Sequence, residues 1–394
     1  MSTEPEAQNE SLADDLFSSA TYEALPPVER PFLPWHRPRK QFVREGQWVE
    51  QINRLYDESD GDRKEFRYLG LPGVDLLDLR FFHSRICQPR ALEMSFLGFN
   101  SEAADGTRAQ IELNISLDEV RKLSDVNSRS IVVRDDFFAV ANDTSVAYKR
   151  AINGGPYDVI NIDLCDGLGG PGSSVPGRSA HEAIARLLSL QFRYKHPWLL
   201  LLTTRVGKAH VEKTFLDKLL NRYNENLKDC KDFRDNSEAL FTIADLVSLG
   251  NAVQTDTGLL PIYLISIFKW LLGMAIKSNP PSELELKSVV GYRVESTAPC
   301  EDLCSLAVRF TPCMSVVNDS TGIITPSLYA PDECKMSVAA LKRVSKRRDA
   351  DALLASDRDL RNTLAESMGD LLESARYSRE RYVVWVAAEE SKCV

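Results

Sequence analysis

At 394 residues, 43% of them apolar and 27% charged, the chain can bury a full core and has a soluble globular composition, as one large domain or two smaller ones. A formal net charge of -9 and a pI near 5.3 exclude a surface that is basic all over, but not a local cationic patch. Eight scattered cysteines and no basic-then-apolar leader favour a reducing cytoplasm and ordinary buried thiols. Cys300, Cys304 and Cys313 lack the short paired spacing and the nearby His of a zinc site, so no metal is expected.

Residues 1–30 are acidic and rich in Ser, Glu and Pro, a composition that predicts a disordered tail. Residues 31–65 form a basic and aromatic N-terminal helical segment, with Arg37, Arg39, Lys40 and Arg44 interleaved with Trp35 and Phe42. These cations either contact nucleic-acid phosphates beside stacking rings or line a helix entrance that packs on the domain. Within the helical pattern of residues 47–56, Trp48, Ile52 and Leu55 share one face, which should dock on the core.

From residue 66 a rhythm sets in. Five β-rich runs, at residues 66–73, 94–100, 131–137, 158–163 and 198–204, end in or near Gly, Asn, Asp or Thr and alternate with helical patterns. Alternation of this kind predicts an α/β fold with a mostly parallel sheet covered on both faces, whose ligands sit beyond the carboxyl ends of the strands. Helices should follow at residues 180–191, 209–226 and 237–249. Residues 259–276 are apolar enough for a membrane span, but Pro261, Lys269 and Gly273 interrupt them, and a buried or interface helix is the preferred reading. Runs at residues 289–295 and 306–311 predict an antiparallel edge pair. Residues 331–394 read as a C-terminal helical extension, with a cationic run at 342–348 and a charged helix at 359–381. No internal repeat is evident, and residues 66–330 make up the expected α/β domain.

Five β/α units followed by an antiparallel pair resemble the class I S-adenosylmethionine-dependent methyltransferases, a Rossmann-like fold whose seventh strand is inserted antiparallel. The resemblance covers about residues 66–311 and lies in strand order and loop position. It implies a cofactor loop at Gly70, Pro72 and Gly73, where Tyr68 and Leu69 stand in place of the family's acidic residue. It places Asn100 at the ribose-binding position, with Glu102 slightly late, and Asp135 or Asp136 with Phe137 beside the adenine. Asp163 and Asp166 fall in the catalytic loop, although the Pro-Pro-aromatic motif of base amino-methyltransferases is absent. Ribose methyltransferases pair a similar Asp with a lysine on the next strand, where this chain has Thr203, Thr204 and Arg205.

The loop of residues 167–177 lacks the Lys-Ser or Lys-Thr pair of a phosphate cradle and reads as a lid or partner loop. His181 and Glu182 open the next helix as a cap or, alternatively, as a catalytic base. The expected cofactor is S-adenosylmethionine, and the expected partner is nucleic acid or a protein in a complex, with no membrane. A looser likeness to bacterial three-Cys-motif partner proteins suggests an accessory protein of a defence-related gene set. The competing reading is a methyltransferase-fold scaffold that has lost cofactor binding and acts through protein partners. A dinucleotide oxidoreductase fits less well, since the Gly-x-Gly-x-x-Gly spacing is missing.

Overall fold

The computed structural model describes residues 30–59, 63–170, 179–294, 298–313 and 331–390. The expected tail (residues 1–29) and most of the expected lid (residues 171–177) lie outside these. Eight strands form one sheet in the order β3-β2-β1-β4-β5-β7-β6-β8. They are β1 (Glu65–Gly70), β2 (Glu93–Phe99), β3 (Ile131–Val133), β4 (Val159–Asp163), β5 (Trp198–Arg205), β6 (Ser282–Tyr292), β7 (Leu303–Pro312) and β8 (Arg348–Asp349). Strands β1 to β5 run parallel, and β7 lies antiparallel between β5 and β6. β8 adds a short parallel edge to β6. Every residue of β5, from Trp198 to Arg205, is buried, as expected of a central strand covered on both faces.

On one face pack α1 (Pro38–Val43 and Glu50–Asp57, joined by the π-helical stretch Arg44–Val49), α2 (Leu77–Phe82) and α3 (Arg108–Arg121). On the other lie α4 (Val146–Gly154), α5 (Ala180–Gln191), α6 (Lys213–Asp229), α7 (Lys231–Phe241), α8 (Leu246–Ala252), α9 (Asp256–Lys277) and α10 (Glu333–Ser345). Helices α11 (Ala350–Ser356), α12 (Arg358–Ser374) and α13 (Arg379–Glu390) return to the first face. Trp48, Ile52 and Leu55 dock as their spacing predicts, each at most 1% exposed. Trp48 also donates from Nε1 to Ser305 Oγ at 3.1 Å, and Gln47 Nε2 donates to Ser288 Oγ at 2.8 Å, fastening α1 to β6 and β7.

The apolar run becomes α9, a 22-residue helix buried in the core. It is long and apolar enough to cross a membrane, but residues 259–269 are all buried, Lys269 among them in an ion pair with Glu333. Cys230 and Cys334 correct the expectation of unpaired thiols, since they form a disulfide between α7 and α10 across 104 residues of sequence. Cys300 and Cys304 are buried thiols, and burial holds the pKa of both above the usual thiol value. Among the described residues, no three His, Cys, Asp or Glu side chains form a metal cluster.

Candidate functional site at the carboxyl edge

The chain leaves β1 for β2 and β3 on one side and returns to β4 on the other, so the strand order reverses between the carboxyl ends of β1 and β4, and the crevice expected at such a reversal is the candidate site. Ligands of open α/β sheets bind at such reversals. The loop Gly70-Leu71-Pro72-Gly73 stands on one side of it and Asp163 on the other, since Gly70 pairs with Asn161 two residues earlier.

Each loop residue has a distinct role. At Gly70 an added Cβ would lie 2.2 Å from Tyr68 Oη, so the glycine makes room for a buried phenol on the same strand face. The Pro72 ring covers Gly98, whose added Cβ would stand 2.8 Å from Pro72 Cγ. Gly73 is different, because nothing lies within 4 Å of where its Cβ would be. Asn100 is committed on both ends of its amide: Nδ2 donates to Pro72 O and Oδ1 accepts from Ala103 N, each at 2.9 Å. It ties the β1 loop to the end of β2.

Asp136 caps the 3-10 turn Phe137–Ala141, its Oδ1 accepting from Phe138 N at 2.9 Å. Phe137 is buried edge-on to Phe99, ring centroids 5.9 Å apart. Asp135 accepts the Asp136 amide at 2.8 Å. Glu102 and Asp166 are exposed.

Asp163 holds the most unusual contact. Lys40, near the start of α1, brings its Nζ to 2.6 Å from Oδ2 and 2.7 Å from Oδ1. The lysine side chain is 5% exposed and the aspartate 22%. The ammonium also lies 4.5 Å from the centroid of the Trp48 ring. Burial works against the charge, but Asp163, then Tyr292 and Asp78, more than offset it and hold Lys40 above the usual lysine range. The β4 aspartate thus has a lysine partner that the sequence did not lead one to expect, delivered by α1 and not by the next strand. Tyr68 is fully buried below it, its acidity suppressed first by burial and then by Asp78.

The remaining cations of the N-terminal segment also turn inward or pair. Arg44 is buried and donates from Nε to Asp78 Oδ1 at 2.7 Å. Arg39 stands 3.4 Å from Asp351 and over the Tyr292 ring at 5.4 Å, and Arg37 is engaged as well. Lys40 and Arg44 are seated within the domain against Asp163 and Asp78, which agrees with the second of the two expectations for this segment, a helix entrance that packs on the domain. Trp35, at 48% exposed, is the exposed ring of this segment.

Four further residues follow simpler logic. Ser179 caps α5, its Oγ accepting from Glu182 N at 3.3 Å and donating to Glu182 Oε2 at 2.9 Å, so Glu182 serves the cap. His181 packs on Phe215 at 4.8 Å, and burial lowers its basicity. In the described part of the glycine-rich loop, Gly167 is required by close approach, since a Cβ there would meet His210 O at 2.2 Å.

Sequence reasoning also missed a clamp beside the crevice. Arg30 pairs with Asp75 at 2.5 Å and with Glu112, while Tyr377 Oη donates to Asp75 Oδ2 at 2.9 Å. Phe32 packs among Tyr377, Tyr382 and Trp385. The two ends of the described chain thus meet at Asp75, two residues past Gly73.

The strand order with β7 inverted defines a Rossmann-like methyltransferase fold. By sequence, a family model matches residues 29–387, and the chain belongs to the PP_RS20740-like family. Among solved structures, a candidate class I S-adenosylmethionine-dependent methyltransferase from Listeria monocytogenes is similar at 10% identity and a TM-score of 0.34, over 80% of this chain and 73% of that one. No curated protein matches by sequence.

Proposed function

We propose that this protein takes S-adenosylmethionine, or a close adenosyl relative, in the crevice between β1 and β4 and modifies or recognises nucleic acid. The observation that carries the reading is the placement of Gly73 and Asp163 on opposite sides of that crevice, one with open space above it and the other a partly exposed carboxylate. The donor set fits the cofactor in part. Gly73 allows close approach, whereas the Asn100 amide and the Asp136 carboxylate already serve the fold. The cofactor supplies an activated methyl group, so the protein's own task is positioning and exclusion of water. Lys40, held charged, would stabilise negative charge developing on a hydroxyl acceptor, and Asp163 would hold Lys40 in place.

Titration calorimetry with S-adenosylmethionine and S-adenosylhomocysteine tests the reading. Saturable binding that Gly73→Arg abolishes supports it. A Cβ at residue 73 meets nothing within 4 Å, and thermal unfolding unchanged in the variant would show that lost binding does not reflect lost structure. A folded protein that binds neither compound refutes it and favours the second reading, a methyltransferase-fold scaffold acting through protein partners. The prior commitment of Asn100 and Asp136 is what recommends that alternative.

A further inference from the structure

A second hollow lies at the opposite, amino edge of the sheet. It has a volume of about 510 Å³ and is bounded by the ends of α5 and α9, by the middle of α6, and by the approach to β6. Arg193, Arg222 and Lys277 supply its charge, and no carboxylate is among its lining residues. Phe192 and Trp270 provide ring surface. In a chain with a net charge of -9, three cations converging on one cavity run against the average.

Helix dipoles explain part of this arrangement. Lys277 ends α9 and Arg193 follows α5, where cations complement the terminal carbonyls. That account does not cover Arg222, which projects from the middle of α6. Its carboxylate neighbour is Glu225, at 3.4 Å, with both side chains about half exposed. Nor does it explain Gly273 on the cavity wall. A glycine inside a helix costs about 1 kcal/mol relative to alanine, and nothing lies within 4 Å of where its Cβ would be. No packing contact requires the glycine, and it leaves the hollow open.

From this geometry we infer that the amino-edge cavity binds a nucleoside phosphate, either free or as one residue of a single strand. The volume suits a ligand of that size. Arginine forks match phosphate oxygens, and Trp270 offers a face on which a base can stack. The site is separate from the β1/β4 crevice and stands whether or not a cofactor binds there.

The test uses the full chain and follows tryptophan fluorescence while adenosine monophosphate, inorganic phosphate or a short single-stranded DNA is added, at low and raised salt. Two variants accompany it: Arg193→Glu with Lys277→Glu, both exposed positions, and Gly273→Leu, which fills the hollow without altering charge. Saturable binding that weakens with salt, and that falls about tenfold or more in both variants while their melting is unchanged, supports the site. Equal affinity for mononucleotide and oligonucleotide identifies the free nucleotide as the ligand. Much tighter oligonucleotide binding identifies a strand. Absence of binding by either, or binding that survives both variants, overturns the inference.

Discussion

Asp163→Asn removes the anionic partner of a buried ammonium. At the observed 2.6 Å, the gross attraction is about 6 kcal/mol for an effective dielectric constant near 20. Most of it offsets the cost of taking Lys40 out of water, so the pair contributes little net stability by its presence. Removing one partner is another matter, because an unpaired buried charge costs about 3–5 kcal/mol. Tyr292 and Asp78 still support the ammonium, which argues for a loss near 3 kcal/mol. The sign with pH follows from the lysine. In the native protein its raised pKa gives stability that is complete below the ordinary lysine value and is lost as pH climbs through the folded value. In the variant the folded value drops below the unfolded one, so the deficit is greatest at neutral pH and shrinks toward about pH 10. Urea unfolding at pH 7 and pH 9.5, followed by circular dichroism, measures both. Lys40→Met combined with Asp163→Asn should lie within about 1 kcal/mol of the parent. A single-variant loss under about 1 kcal/mol, typical of exposed pairs, would refute the seating of α1 at the crevice.

The two loop glycines should separate cleanly in thermal unfolding. Gly70→Ala presses on the Tyr68 phenol and should cost about 1–3 kcal/mol, while Gly73→Ala should stay within about 0.5 kcal/mol; equal effects would contradict the assignment. His36 is buried, and burial, then Arg44 and Arg30, push its pKa from 6.5 down to about 3. The unfolded chain therefore binds a proton that the folded one refuses, and stability falls between pH 6.5 and pH 3 by up to about 1.4 kcal/mol per unit. His36→Asn keeps an acceptor for the Leu33 amide and should flatten that acid limb in denaturant titrations; an unchanged slope would count against it. Reducing Cys230–Cys334, which closes a 104-residue separation, should lower unfolding stability by about 2–4 kcal/mol, and thiol counting before and after reductant reports whether the bond was present.

Much of the sheet was legible because covered parallel strands read as apolar runs with turn residues at their ends. β5 is the clearest case, and residues 180–191 match α5 to the residue. The apolar stretch around Ile267 could be placed inside the core because Pro261 and Lys269 sat poorly in a lipid reading. Boundaries failed where local signals were weak. Residues 282–288 were not read as the start of β6, since they alternate Glu and Lys with Leu on a partly solvated ladder. The expected helix of residues 359–381 breaks because Arg376 adopts a left-handed backbone, φ 69°. The Lys40–Asp163 pair was out of reach, because its members are 123 residues apart and charge in a sequence carries no direction. Tyr68 was closer to legible, because residues two apart on a strand share a face, and a phenol beside Gly70 follows from that period.

Hydrogen exchange of the full chain, with and without saturating S-adenosylhomocysteine, tests the central claim most directly. Bound ligand should add protection at the amides of residues 70–76 and 163–170, on the two sides of the crevice. Exchange that is unchanged in both stretches, or slowed only at the amino edge of the sheet, would contradict it.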